Sequence, residues 1–168
     1  MTVAAASTRP RNARKIGLIA TAAGFAGVDL AAKAWAVRGL DSAPIDAWPV
    51  NLRLAFNSGA AFSIADDSPA WVMVAVTAAI TVAVAIAGWR IAPRAGIGCR
   101  MGLAAILGGA TANVIDRIPD GKVTDYLHTG WWPTFNLADT FIVLGAITLV
   151  TLTMFGDPHE RQELSSDD

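Results

Sequence analysis

Four apolar stretches divide the chain, and polar residues lie between them. Residues 16–37 and 69–89 form the first two, and the second holds no charged residue. Residues 96–115 are rich in glycine and alanine, and residues 136–155 are apolar apart from their first turn. Each stretch is close to the about 20 residues that a helix needs to cross the hydrocarbon core of a bilayer. The pattern therefore predicts four transmembrane helices with these bounds.

The composition agrees with a membrane protein. Of the 168 residues, 54% are hydrophobic and only 16% are charged, whereas a soluble domain has about 25% charged residues. A net charge of −1 without a basic stripe excludes a nucleic-acid-binding protein. The single cysteine, Cys99, excludes a disulfide framework and a cysteine-rich zinc site.

Small residues in the third stretch suit a helix at the centre of a bundle. Gly102, Gly108, Gly109 and Ala112 would let neighbouring helix backbones approach closely in lipid. We therefore expect the third helix to be packed by the others.

The basic residues are distributed unequally between the two sides of the predicted membrane. Residues 1–15, the loop 90–100 and the tail 156–168 lie on one side and carry eight Lys and Arg, against four in the other two loops. The positive-inside rule places the richer side in the cytoplasm. We predict a cytoplasmic N-terminal segment 1–15, one transmembrane domain 16–155 with an uncleaved first span, and a disordered cytoplasmic tail 156–168.

The first outer loop contains a pattern typical of a β-strand. Residues 51–56 begin with polar and apolar side chains in alternation, and residues 57–60 are turn formers. This predicts a short hairpin or small sheet on the outer leaflet. The expected fold class is an all-α membrane protein with four transmembrane helices and a small β-element on the outer side.

Ionisable and amide side chains gather near the outer boundary of the predicted membrane. Such groups are costly inside a bilayer and are candidate functional groups. They are Asp29 and Lys33 on the first span, Asn113, Asp116 and Arg117 on the third, Asp125 in the following loop, and Asn136 and Asp139 at the start of the fourth. Because Asp29 and Lys33 are four residues apart, they share a helix face and can pair.

Asp125 and Asp139 form the best pair for hydrolysing a peptide bond. Two nearby carboxyl groups do not both ionise easily, so one keeps a proton that polarises the scissile carbonyl while the other activates water. The chain between them is long enough to return from the third helix to the fourth. Asn113, Arg117 and Asn136 could hold the substrate backbone or an oxyanion.

Five ordered motifs resemble those of the lipoprotein signal peptidases, also called signal peptidase II. They are DLAAK at 29–33, NSGAAFS at 57–63, GGATANVIDR at 108–117, VTDY at 123–126 and FNLAD at 135–139. The resemblance covers residues 16–155. It departs at Thr124 and Tyr126, where the family more often has valine and phenylalanine.

The resemblance implies an aspartic endopeptidase in the bacterial inner membrane, with both termini cytoplasmic and neither a metal nor an organic cofactor. Such an enzyme removes signal peptides from diacylglyceryl prolipoproteins by cleaving before the lipidated cysteine. Asp125 and Asp139 are then the catalytic dyad. The expected substrate-binding residues are Asn57, Gly59, Asn113, Arg117, Asn136, Asp29 and Lys33. The expected partners are the prolipoprotein and membrane lipid, with no nucleic acid, and we expect a monomer.

Structural roles remain open for the same side chains. Asp29 with Lys33 could simply tie the first helix to its neighbours, Asp139 could cap the fourth helix, and Asp125 could be a turn residue. The aromatic residues Trp131, Trp132 and Tyr126 are expected to anchor the chain at the membrane interface.

The alternative function is a small non-enzymatic membrane carrier or scaffold that uses the same carboxylates as relay groups. A carrier, however, would place its polar groups near the membrane midplane rather than at one interface.

Overall fold

The structure, a computed structural model, describes residues 9–41, 43–59 and 70–155. Its elements are α1 (Arg9–Gly39), β1 (Asn51–Asn57), α2 (Ala70–Ile91), α3 (Ile97–Arg117), β2 (Val123–His128) and α4 (Leu137–Phe155). All four helices are long and apolar enough to cross a membrane. The predicted fold class, four helices with a small β-element, is confirmed.

Helix α1 starts earlier than the apolar stretch that it contains. It begins at Arg9, so the basic residues before the predicted span continue the same helix. Pro10 lies in the first turn, where its missing N–H costs no helical hydrogen bond. The remaining N-terminal residues, 1–8, and the predicted tail, 156–168, lie outside the described residues.

The β-element is a two-stranded antiparallel sheet made from distant parts of the chain. Strand β1 pairs with β2, with Ala55 opposite Asp125 and Asn57 opposite Val123. The small sheet is confirmed, whereas a local hairpin and the placement of Asp125 in a loop or turn are wrong. The sequence lacks the alternating pattern for β2 because the first four side chains of this strand are all buried, and a strand buried on both faces does not alternate.

Helix α3 packs against each of the other three helices. A Cβ added at Gly108 would lie 2.5 Å from the backbone oxygen of Ala22, and one at Gly102 would lie 3.1 Å from that of Gly145. The expected close approach through small residues is confirmed. It brings the polar end of α3 within reach of side chains on α1 and α4.

A backbone clasp joins the end of β2 to the start of α4. Tyr126 N and Leu127 N donate to the Phe135 oxygen at 3.0 and 2.8 Å, and Phe135 N donates to the Leu127 oxygen at 3.0 Å. The chain between them is thereby closed into a loop. As a result, Asp125 and Asn136 become neighbours in space.

Candidate active site

The start of α4 fixes one of the two aspartates by local hydrogen bonds. Asn136 precedes the helix, and its Oδ1 accepts a hydrogen bond from Asp139 N at 3.0 Å. Asp139 Oδ2 accepts in return from Asn136 N at 3.2 Å. This reciprocal arrangement is a capping box, in which the residue before the helix and the third helical residue satisfy each other. Asp139 therefore does cap the fourth helix, and the hydrogen bond from Asn136 N fixes its Oδ2.

Distant residues satisfy the other free N–H groups of this helix end. Ala138 N donates to Asp29 Oδ1 at 2.8 Å, and Leu137 N donates to Tyr126 Oη at 3.4 Å. A helix end buried without such partners would be costly. Helix α1 and strand β2 therefore both position the start of α4.

Tyr126 belongs to the interior rather than to the membrane interface. Its side chain is buried, and burial raises the pKa of its hydroxyl to about 12, so the hydroxyl keeps its proton. The predicted anchor role is wrong for Tyr126. Trp131 and Trp132 are 81% and 57% exposed, and their anchoring role stays a prediction.

Asp125 is buried between two amide groups. Its Oδ1 accepts from Asn136 Nδ2 at 2.7 Å, and its Oδ2 accepts from Asn57 Nδ2 at 3.1 Å. Burial raises the pKa of the Asp125 carboxyl to about 6, and the charge of Asp139 adds to this rise. The hydrogen bonds from Asn136 and Asn57 oppose it, because they favour the charged form.

Asn136 joins the two aspartates. It is fully buried, and its amide donates to Asp125 while its amide oxygen and backbone N–H bind Asp139. Both carboxyl groups therefore accept a hydrogen bond from the same asparagine. Within the described ranges, no group of three or more His, Cys, Asp or Glu side chains is placed to hold a metal ion.

Lys33 is the centre of a buried polar cluster behind the aspartates. Its Nζ lies 2.9 Å from Asp29 Oδ2 and 3.2 Å from Asp116 Oδ2, and it donates to Asn113 Oδ1 at 2.7 Å. The predicted pairing of Asp29 with Lys33 is confirmed. Because Lys33 can only donate, Asn113 turns its oxygen to Lys33 and its Nδ2 to Asp139 Oδ1, at 2.9 Å.

Asp116 connects this cluster to the strand that carries Asp125. Thr124 donates its backbone N–H to Asp116 Oδ2 at 2.7 Å and its hydroxyl to Asp116 Oδ1 at 3.3 Å. The hydroxyls of Thr124 and Tyr126, the two departures from the family pattern, thus both form hydrogen bonds that valine and phenylalanine could not. Each bond supports an element that bears an aspartate.

Arg117 and the turn after β1 complete the surroundings of the carboxyl groups. Arg117 is buried and interacts electrostatically with Asp125, Asp116 and Asp139. Its Nε has no hydrogen-bond partner among the described residues. Gly59, at φ +85°, donates its N–H to Asn57 Oδ1 at 2.8 Å. This turn orients the Asn57 amide toward Asp125. Residues 60–63 of the predicted NSGAAFS motif lie outside the described residues.

An apolar cavity of about 420 Å³ opens beside Asp139. Its lining residues are Thr129, Trp131, Trp132, Phe135, Asp139, Thr140, Val143 and Leu144. The hydroxyl of Thr129 is buried and has no hydrogen-bond partner within the part of the chain that the structure describes. Sequence reasoning missed Thr129, because a single threonine in a loop carries no pattern.

The structure brings together nearly all of the predicted site residues. Asn57, Asn113 and Asn136 contact the two aspartates directly. Among the described residues, Asp29 and Lys33 are linked to them through Asn113, Asp116 and the start of α4. The arrangement offers paired carboxyl groups, a buried guanidinium and an adjoining apolar cavity. It can therefore support acid–base chemistry on an extended, partly apolar chain.

Comparisons with known proteins agree with this chemistry. Residues 21–155 match the family described as Peptidase_A8, signal peptidase (SPase) II. The lipoprotein signal peptidase of Mycobacterium avium (strain 104) is 39% identical over 149 residues, covering 83% of this chain and 79% of that protein. The lipoprotein signal peptidase of Mycobacterium leprae (strain Br4923) is 37% identical over 148 residues, covering 83% and 72%.

A solved structure has a similar fold. It is described as a bacterial membrane enzyme determined by the in meso method at 1.9 Å resolution. The TM-score is 0.72 at 21% identity, covering 84% of this chain and 94% of that one. At this level of identity the likeness concerns the fold alone.

Proposed function

Because the chain belongs to the signal peptidase II family, an aspartic peptidase family, we propose that it removes signal peptides from diacylglyceryl prolipoproteins by cleaving before the lipidated cysteine. The predicted family resemblance is thereby confirmed. One observation carries the proposal for the site. The buried Asn136 donates its side-chain amide to the Asp125 carboxyl group and its backbone N–H to the Asp139 carboxyl group. We therefore propose a peptidase rather than the carrier or scaffold.

In the proposed reaction Asp125 acts first as the acid and Asp139 as the base. Asp139 takes a proton from water, the water oxygen bonds to the scissile carbonyl carbon, and Asp125 gives its proton to the carbonyl oxygen. In the second step the C–N bond breaks, Asp139 protonates the leaving amine, and Asp125 recovers its proton from the hydroxyl. The assignment follows from burial, which favours the protonated form of Asp125.

The neighbouring side chains have separate proposed roles. Asn113 and Asn136 orient the carboxylates through the hydrogen bonds described above. Arg117 interacts electrostatically with Asp125 and Asp139, so its positive charge would stabilise the developing oxyanion. Asp29 and Lys33 are positioning residues. Among the described residues, their hydrogen bonds and ion pairs run to each other, Asn113, Asp116 and Ala138, and not to the carboxyl group of Asp125 or Asp139.

The apolar cavity beside Asp139 would hold an apolar part of the substrate near the scissile bond. We place the site at the outer boundary of the bacterial inner membrane, with both termini in the cytoplasm and a monomer as the working unit. The basic residues at the opposite end of the bundle support this orientation by the positive-inside rule.

A cleavage assay tests the proposed function. Purified protein incubated with a diacylglyceryl prolipoprotein should release the signal peptide, and mass spectrometry should detect both products. The same prolipoprotein without the lipid is the matched control and should be cleaved far more slowly. An unchanged mass of the lipidated substrate would contradict the proposal and favour the carrier.

The pH dependence of cleavage should report the proton on Asp125. Since its carboxyl has a raised pKa of about 6, kcat/KM should fall as the pH rises through about 6 and the acid is lost. Asn57→Ala removes a hydrogen bond that favours the charged form, so this descending limb should move to higher pH. Asn51→Ala, on the same strand but bonded to Ala47 N, should leave the limb in place. A limb that stays fixed in Asn57→Ala would contradict the proposed acid.

A further inference from the structure

A second cavity lies at the opposite end of the bundle from the two aspartates. It has a volume of about 390 Å³ and lies between the start of α1 and the start of α3. Arg14 and Arg100 both line it, and much of the remaining wall is apolar or small, including Gly17, Leu18 and Met101. The cavity thus combines two guanidinium groups with an apolar surface.

Neither guanidinium group forms an ion pair within the described residues. Arg14 donates one N–H to the Pro93 oxygen at 3.0 Å, which holds the group in place and leaves its remaining donors for another acceptor. Among residues 9–41, 43–59 and 70–155, Arg100 has no ion pair, and every aspartate lies toward the other end of the helices. Guanidinium groups are suited to the planar, multidentate binding of phosphate oxygens.

The start of α3 adds positive potential to the same cavity. Its first residue, Ile97, lines the wall, and Gly96 before it provides no side-chain cap. The N-terminal end of a helix carries about half a positive charge and free N–H groups, both of which favour an anion. This end therefore reinforces the two arginines.

Neighbouring side chains indicate that the cavity lies at the level of lipid headgroups. Lys15 Nζ lies 4.4 Å from the centre of the Trp89 ring, and tryptophan with basic residues is typical of a membrane interface. From this level the wall continues inward past Leu18 to Thr21. An acyl chain could follow this wall while its headgroup stays among the arginines.

We propose that this cavity binds the phosphate of an anionic phospholipid, with an acyl chain against the exposed side chains of Ile97 and Met101. Basic pockets between membrane helices are a recognised form of anionic-lipid site. A zwitterionic lipid brings its own positive charge to the arginines, and free phosphate makes no use of the apolar wall. The proposal does not depend on the peptidase activity.

Native mass spectrometry of the detergent-purified protein tests this site. Dioleoylphosphatidylglycerol should bind at least about tenfold more tightly than dioleoylphosphatidylcholine, and inorganic phosphate should not displace it. Arg14→Gln and Arg100→Gln should each weaken binding about fivefold, and the double variant about twenty-five-fold, because each basic residue near a membrane surface contributes about that factor.

Arg94→Gln is the matched control, since Arg94 is exposed at the same end but does not line the cavity. It should change the affinity less than twofold. If Arg94→Gln lost as much affinity as the other two variants, the lipid would be attracted by the basic surface in general, which would overturn the proposal. Equal affinities for the two lipids would overturn it too. Displacement by millimolar phosphate would mean a site for the free ion. The lipid comparisons need only the parent protein, so they decide the matter even if a variant fails to fold.

Discussion

We expect Asp125→Asn and Asp139→Asn each to lower the rate of prolipoprotein cleavage about a thousandfold or more. Either change removes one member of the proposed acid–base pair, and a positioned acid or base is worth about 10² to 10⁴ in rate. Asparagine has nearly the same shape but only one acceptor oxygen. Asp125→Asn therefore keeps one of the two hydrogen bonds from Asn57 and Asn136, and Asp139→Asn keeps one of the two from Asn113 and Asn136. The measurement is the initial rate of signal-peptide release from a lipidated substrate.

Asp120→Asn is the matched control for this experiment. Asp120 lies in the turn before β2, is exposed, and accepts only from Lys122 N among the hydrogen bonds of the described residues. This variant should keep its rate within about twofold. Thermal unfolding of all three variants in detergent shows whether they remain folded. Full activity in a folded Asp125→Asn or Asp139→Asn would remove that residue from the dyad, without changing the family to which the chain belongs.

Lys33→Met lowers the free energy of unfolding by about 3 to 5 kcal/mol, the usual cost of removing one partner from a buried ion pair. Asp29 is fully buried, and its Oδ2 lies 2.9 Å from Lys33 Nζ. Without the ammonium group this carboxylate has no compensating charge, and Asn113 loses the donor that fixes its orientation. The measurement is the unfolding midpoint in detergent, together with the rate of cleavage.

The double variant Asp29→Asn/Lys33→Met distinguishes loss of charge balance from simple loss of packing. Asparagine at position 29 can still accept from Ala138 N, and the fully buried carboxylate is removed together with its counter-charge. Asp116, which is 17% exposed, still loses Lys33. The double variant should therefore recover part of the stability lost in Lys33→Met. Lys122→Met, at an exposed position, should have little effect. If Lys33→Met is as stable as Lys122→Met, the buried cluster does not support the fold.

Some of the hydrogen bonds at the start of α4 could be predicted from the sequence, and others could not. The capping box between Asn136 and Asp139 depends on residues three apart, so it belongs to the local motif. The bonds from Asp29 and Tyr126 to the same helix end come from distant parts of the chain. Tyr126, expected at the interface as an aromatic residue, is buried because its hydroxyl finds a partner there.

Strand β2 is the clearest case in which the sequence could not predict the structure. Its first four side chains are buried, so it lacks the alternation that identified β1. Its place follows from pairing with β1 and from the clasp between Leu127 and Phe135. Both depend on backbone hydrogen bonds, which are insensitive to side-chain identity. The burial that raises the pKa of Asp125 follows from this placement.

By itself, the sequence determined the four apolar helices, the pairing of Asp29 with Lys33 and the ordered motifs of the family. These features depend on hydropathy over one helix length, on spacing within one turn, or on short runs of residues. Only the tertiary structure decided that Asn136 joins the two aspartates, that Thr129 has an unpaired hydroxyl beside a cavity, and that two arginines share another cavity at the far end. Such contacts join residues far apart in the chain, and helix packing and strand pairing select them from many that the same sequence pattern would allow.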